Sequence, residues 1–250
     1  MNKLSYFQTP YIAHRGLYDN HEDYPENTIA AFERAAQAGY GIELDVHLTS
    51  DDRLVVFHDA DLQRACDFDL AISDVTFDEL SNHRVFGSSQ TIPLFTDVLA
   101  LIGGKVPLIV EIKTGRDIAS ICSKTDAILS AYNGAYCIES FDPRILMWYR
   151  KNHPDVIRGQ LSDVFGPGEG SGNDKLDWVL TNLLLIPLTW PDFIAYNWQH
   201  AAKFALHFWH RLLHCPLVAW TLESQDQLDK ARHSFDVYIF EGFTPEVLPQ

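Results

Sequence analysis

Short apolar runs recur along the chain, and nearly every gap between them is long enough for a helical crossover and too long for a tight turn. That alternation is the mark of parallel strands joined by helices. The runs fall at residues 11–14, 41–46, 108–112, 136–139, 157–161, 193–196, 217–221 and 237–240. Eight parallel strands with helices between them predict a closed (β/α)8 barrel of the TIM type rather than an open doubly wound sheet. The 250 residues agree, because such barrels occupy about 250 residues as one unit. A single domain over 1–250 is therefore expected.

The intervening stretches read as helices where their apolar positions recur on one face. Ile29, Phe32 and Ala36 form one stripe of a helix over 28–38, with Asn27 or Thr28 to cap its start and Gly39 to end it. Further helices are expected at 95–102, 143–151 and 226–233. The Gly/Ser-rich stretch 166–173 reads as a loop, since a domain break there would leave fragments with too few strands.

One apolar run breaks the pattern. Residues 54–57 begin only eight residues after Val46, whereas a parallel crossover needs about a dozen. This run must fold back as a hairpin through 49–52, returning His58 towards the place where the preceding strand ends. With the irregular stretch 60–93 it makes a small insertion after the second strand region, roughly residues 47–93.

Charge and cysteine usage limit the partners. Nineteen basic and 34 acidic residues give a formal net charge of −15. Such a field draws in neither nucleic acid nor an anionic membrane. An anionic substrate would need local cations or a bound metal to reverse the sign. The four cysteines (Cys66, Cys122, Cys137 and Cys215) show no C-x-x-C spacing and read as reduced thiols. No apolar run of signal-peptide length precedes the first strand, and the longest run in the C-terminal half, 183–188, is interrupted by Pro187. A cytoplasmic protein with no stable membrane insertion is expected.

Barrel enzymes carry their chemistry at the C-terminal ends of the strands. His14, Arg15 and Gly16 end the first strand, Glu43 and Asp45 lie near the end of the second, and His58 and Asp59 end the hairpin arm. Glu111 and Lys113 end the next strand, and Glu139 and Ser140 the one after. Residues i and i+2 of a strand share a face, so Glu43 projects with Asp45 and Glu111 with Lys113. Three carboxylates from neighbouring strands then converge, and unpaired they would repel one another strongly. A hard divalent cation with all-oxygen ligation, Mg²⁺ or Ca²⁺, resolves that repulsion. His14 and His58 are the acid–base candidates, because histidine exchanges a proton near neutral pH. Arg15 and Lys113 supply local positive charge suited to phosphate oxygens. Asp59 either orients His58 or caps the turn. The aromatics of 178–209 (Trp178, Trp190, Trp198, Phe204, Phe208 and Trp209) are expected to pack in the core and between helices.

Taken in order, these strings resemble the glycerophosphodiester phosphodiesterase family. They are His14-Arg15-Gly16, Pro25-Glu26-Asn27-Thr28 with Ala31-Phe32, Glu43-Leu44-Asp45-Val46, His58-Asp59 with Leu62 and Arg64, and Glu111-Ile112-Lys113. Ser140-Phe141-Asp142 and Trp220-Thr221 resemble later family positions. The resemblance implies a (β/α)8 barrel with an insertion after the second strand region. It implies metal-dependent hydrolysis of a glycerophosphodiester to glycerol 3-phosphate and an alcohol, within glycerol and lipid metabolism. Carried over, Glu43, Asp45 and Glu111 would bind the metal, His14 and His58 would form the catalytic pair, and Arg15 and Lys113 would contact phosphate. Phe141 and Trp220 are candidates to line the glycerol or leaving-group pocket, with packing in the core an equal alternative for Trp220. Two departures stand out: a long loop over 17–24, and Trp-Thr-Leu-Glu-Ser and Ile-Phe-Glu-Gly where the family has an Asn after Trp-Thr and an Asp near the last strand. Both bear on substrate choice. Two alternatives share the scaffold: a lysophospholipase D or sphingomyelinase D-like enzyme acting on a lipid, and a barrel that binds without catalysis. The resemblance leaves open which histidine is the base, whether a cyclic phosphate forms, and the oligomeric state.

Overall fold

A computed structural model describes residues 7–166 and 172–246. Its strands are β1 (Tyr11–Ala13), β2 (Gly41–Leu48), β3 (Leu54–Val56), β4 (Leu108–Ile112), β5 (Tyr136–Ser140), β6 (Arg158–Ser162), β7 (Phe193–Asn197), β8 (Leu217–Leu222) and β9 (Val237–Phe240). All but β3 run parallel, in the spatial order β1-β2-β4-β5-β6-β7-β8-β9. The ring closes because β1 pairs with β2 on one side (Ile12 opposite Gly41) and with β9 on the other (Ile12 opposite Ile239). This is the closed eight-stranded barrel expected.

β3 is the hairpin arm required by its short spacing. It pairs antiparallel to the end of β2, with Val46 opposite Val56 and Leu48 opposite Leu54. The insertion behind it contains the short helices α2 (Gln63–Cys66) and α3 (Phe77–Leu80) and two 3₁₀ turns. Their apolar residues, among them Phe57, Leu62, Ile72, Leu80 and Ile92, form a separate buried cluster under β3. Helices of four residues show no periodicity, which is why this stretch reads as irregular in the sequence.

The crossovers are α1 (Ile29–Ala38), α4 (Phe95–Ile102), α5 (Ile118–Leu129), α6 (Pro143–Asn152), α7 (Asp174–Thr181), α8 (Ile186–Thr189), α9 (Phe204–Leu213) and α10 (Gln225–Ala231). In α1, Thr28 is the N-cap, accepting from the Ala31 amide, and Gly39 ends the helix at φ 77°. Asn27 is thereby free to turn its side chain inward. Alternate strand residues split between two cores. Ile12, Ile109, Cys137, Leu161, Phe193, Ala195, Val218, Val237 and Ile239 fill the barrel, joined by Phe7 ahead of β1. Ile42, Leu44, Val110, Ile138, Ile194 and their neighbours pack outward against the helices.

The expectation for the aromatics of 178–209 holds only for Trp198 and Trp209, which pack on the outer core. Trp178, Trp190, Phe204 and Phe208 are exposed, Phe204 by 80%. Apolar residues occupy both faces of α9, and a single face can meet the barrel: Leu206, Trp209 and Leu213 take it, leaving Phe204, Phe208 and Leu212 outside. All four cysteines are free thiols, and Cys66 is only half-buried. Of the Gly/Ser-rich loop, residues 167–171 lie outside the described residues. No helix among the described residues is long and apolar enough to cross a membrane.

Candidate active site

The same alternation that fills the barrel with aliphatic side chains turns polar at the C-terminal ends of the strands. Continuing the inward-facing positions brings His14 after β1, Glu43 and Asp45 on β2, Glu111 on β4 with Lys113 beyond it, and Glu139 on β5 with Phe141 beyond it. Trp220 on β8 and Glu241 after β9 close the circle. The register sets three of the acids at one level: Asp45 lies opposite Glu111, and Glu111 opposite Glu139. The hairpin arm adds the second histidine, because the Phe57 amide donates to the Asp45 carbonyl at 3.0 Å and holds the next residue, His58, beside the end of β2. Together these side chains enclose a cleft of about 120 Å³. His14, Arg15, Glu43, His58, Glu111 and Glu139 form its polar wall, and Phe141, Leu161, Trp220 and Ile239 its apolar one. The Phe141 and Trp220 rings meet edge to face with centroids 5.6 Å apart. Asp45 and Lys113 do not line the cleft.

Glu43, Asp45 and Glu111 are buried, and each offers a carboxylate oxygen within 4.8 Å of the others. They are not all unpaired, as the sequence suggested. Lys113 Nζ lies 2.7 Å from Asp45 Oδ1 and 2.8 Å from Glu111 Oε2. Asp45 Oδ2 also accepts from Asn27 Nδ2 at 2.8 Å. Burial works against ionisation of Asp45, but the charges of Lys113 and Arg15 outweigh it and hold the carboxyl well below its usual range. Glu43 has no such cation. Its Oε2 accepts the Arg15 backbone N–H at 3.1 Å, and its Oε1 has no hydrogen-bond partner. Burial, then the charges of Asp45, Glu111 and Glu139, push Glu43 well above the usual carboxylate range. Burial raises Glu111 as well, despite Lys113. A buried, all-oxygen donor set with one orphaned oxygen and excess negative charge fits a hard divalent cation.

Both histidines are held by carboxylates. His14 Nδ1–H donates to Glu241 Oε2 at 2.5 Å, and the Tyr18 hydroxyl donates to the same oxygen at 2.9 Å. His58 Nδ1–H donates to Asp59 Oδ1 at 2.7 Å. A carboxylate only accepts, so in each neutral ring the proton sits on Nδ1 and Nε2 keeps its lone pair. His14 Nε2 lies 3.8 Å from Glu43 Oε2. Burial and the charge of Arg15 lower the His14 pKa, against its hydrogen bond to Glu241. Asp59 therefore orients His58, the first of the two roles its position allowed. Its other oxygen accepts from Arg64 Nε at 2.6 Å, and Arg64 also grips Glu26, which accepts from Arg15 Nη1 at 2.8 Å. Burial pushes Glu26 up, but Arg64, Arg15 and Asn20 outweigh it and hold the group at about 2.

The structure brings together all nine residues singled out in the sequence. It gives Glu139, named in the sequence only as the end of its strand, a place in the cleft wall, and it adds Glu241 and Tyr18. Glu241 stood out only as a departure near the last strand, yet it contacts His14. The signal for both acids was the i, i+2 rule: Val237, Ile239 and Glu241 share a face, as do Cys137, Glu139 and Phe141.

A family model described as the glycerophosphoryl diester phosphodiesterase family matches residues 14–167. A glycerophosphodiester phosphodiesterase of Bacillus altitudinis is 39% identical over 117 residues, 44% of this chain and 46% of that protein. One of Caldanaerobacter subterraneus subsp. tengcongensis is 42% identical over 116 residues, 43% of this chain and 46% of its own length. The chain thus spans about half the length of the curated relatives it matches. Among solved structures, an Oleispira antarctica phosphodiesterase in complex with the product sn-glycerol-3-phosphate aligns with a TM-score of 0.76 at 20% identity, covering 96% of this chain and 95% of that one.

Proposed function

Because the chain belongs to the glycerophosphoryl diester phosphodiesterase family, we propose that it hydrolyses a glycerophosphodiester to glycerol 3-phosphate and an alcohol with the help of Mg²⁺ or Ca²⁺. The observation that carries this reading is the pair of histidines. Each is anchored through Nδ1 by a carboxylate, and both line the small cleft that Glu43 and Glu111 also line.

Glu43, Asp45 and Glu111 would hold the cation, which supplies Lewis-acid stabilisation of charge on the phosphoryl oxygens. The remaining work falls to the chain's own side chains. His14, kept neutral by its burial beside Arg15, takes at Nε2 a proton from the attacking water, whose oxygen forms the new bond to phosphorus as the bond to the departing alcohol breaks. Glu241 stabilises the imidazolium that results. His58, held by Asp59, donates a proton to the departing alcohol. Arg15, clasped by Glu26, presents its guanidinium to a phosphate oxygen. Lys113 acts chiefly on the acids, neutralising Asp45 and Glu111 and fixing their geometry. Phe141 and Trp220 pack against the carbon skeleton of the substrate. The chain works as one barrel unit over 1–250 in the cytoplasm, where its free thiols stay reduced.

The test uses chelator-stripped protein with glycerophosphocholine or glycerophosphoethanolamine, reading released glycerol 3-phosphate with and without added Mg²⁺ or Ca²⁺. Release that requires a cation is expected. Folded protein that releases nothing with any cation overturns the reading.

A further inference from the structure

Glu139 has no part in the chemistry proposed above, yet it lines the cleft. It is 1% exposed, and its Oε2 has no hydrogen-bond partner among the described residues. Its surroundings explain why. On β4 its neighbour across the register is Glu111, whose carboxyl is engaged by Lys113. On β6 its neighbour is Gly159, which has no side chain. Nor can that gap be filled from β6, because a Cβ on Gly159 would lie 2.1 Å from the Phe193 ring. A buried polar oxygen left without a partner costs stability, and where it faces a ligand cleft the missing partner is a ligand atom.

The kind of atom follows from what surrounds it. Glu139 is not among the acids whose oxygens converge within 4.8 Å, so it is not placed to share their cation. A phosphate oxygen at Glu139 would sit against a carboxyl whose register neighbours, Glu111 and Gly159, offer it no cation, and Lys113 is held by Asp45 and Glu111. A hydroxyl meets neither objection, because it can donate to a carboxylate or accept from a carboxylic acid. The apolar side of the cleft supports the same class of ligand. Phe141 projects from the same face of the chain as Glu139, beside Trp220, and gives a carbon chain a surface to lie on. Trp220 Nε1, a donor, is a second buried polar atom without a hydrogen-bond partner among the described residues. An aromatic corner flanked by two unpartnered polar atoms, in a space of about 120 Å³, suits a short polyol.

We propose that Glu139 recognises the glyceryl hydroxyl remote from phosphorus, making this enzyme selective for glyceryl over deoxyglyceryl phosphodiesters. Glu139 is not one of the acids that converge where the cation and phosphoryl group would lie, which assigns it the terminal hydroxyl rather than the one beside the ester. The inference rests on the phosphodiesterase reading and names the part of the substrate that this chain distinguishes.

The experiment measures kcat/KM for glycerophosphocholine and for its analogue lacking the terminal hydroxyl. Wild-type protein, Glu139→Gln and Glu139→Ala are compared, with circular dichroism to establish folding. The wild type is expected to prefer the glyceryl ester by on the order of 10- to 100-fold, the effect of leaving one buried group unpaired. Glu139→Ala is expected to lower turnover of the glyceryl ester far more than of the analogue, so that the preference falls at least about tenfold. Glu139→Gln, which still both donates and accepts, retains most of it. A wild type that does not discriminate overturns the inference, as does a Glu139→Ala protein that loses both activities in equal proportion. Folded wild type that cleaves neither ester brings down the phosphodiesterase reading itself, and the inference with it.

Discussion

Removing and restoring a divalent cation should change the stability of this protein by an amount that follows from the buried carboxylates. In the metal-free protein Glu43 carries an orphaned oxygen and is held well above the usual carboxylate range, as Glu111 is to a lesser degree. A cation that binds only the folded barrel stabilises it by about 2.7 kcal/mol when present at about 100 times its Kd. For a protein of this size each kcal/mol moves Tm by roughly 2–4 °C, so an increase of about 5–11 °C is expected. The sign of the pH dependence also follows. Binding needs both carboxyls ionised, and both hold their protons to higher pH than a free carboxyl does. The increase should therefore be larger at pH 8 than at pH 6, where cation and proton compete. The assay is thermal unfolding of chelator-stripped protein at the two pH values, with Mg²⁺ or Ca²⁺ added to millimolar concentration. Glu43→Gln is the control, since it keeps the shape of the side chain but removes the charge. The reasoning fails if neither cation moves the wild-type Tm, or if Glu43→Gln shows the same increase as the wild type.

Two further outcomes follow from the network around the histidines. Glu241→Gln replaces the anion that supports His14. With hydrogen bonds to charged groups contributing about 1.5–3 kcal/mol, kcat should fall on the order of 10- to 100-fold with KM little changed. Because Glu241 acts to raise the His14 pKa, the acidic limb of the pH–rate profile should move to lower pH; an unchanged kcat would remove Glu241 from the mechanism. Glu26, held at about 2 against 4.5 for an unperturbed Glu, gives the fold stability that is present above the unfolded value and lost as pH falls through the folded one. That amounts to about 3 kcal/mol lost between roughly pH 5 and pH 2. The urea midpoint of wild type should therefore drop more steeply over this range than that of Glu26→Gln, and parallel curves would show that Glu26 is not the group responsible.

What could be read from the sequence and what could not divide along a physical line. The barrel was legible because burial of a parallel strand on both faces leaves a continuous apolar run, and α1 because its stripe and caps are local. The hairpin arm followed from chain length alone, since eight residues cannot make a crossover. The pairs of acids were legible because i and i+2 are fixed by the strand itself. Their pairing with Lys113 was not, because it depends on Asp45 standing opposite Glu111, a register between strands more than sixty residues apart in the chain. The contact of His14 with Glu241 spans 227 residues and exists only because β1 closes the ring against β9. Closure thus does two things at once: it joins the first barrel strand to the last, and it sets the acid that follows the last strand beside the histidine that follows the first. A substitution that loosened the β1–β9 seam, far from any substrate, would act on catalysis through the distance between His14 and Glu241.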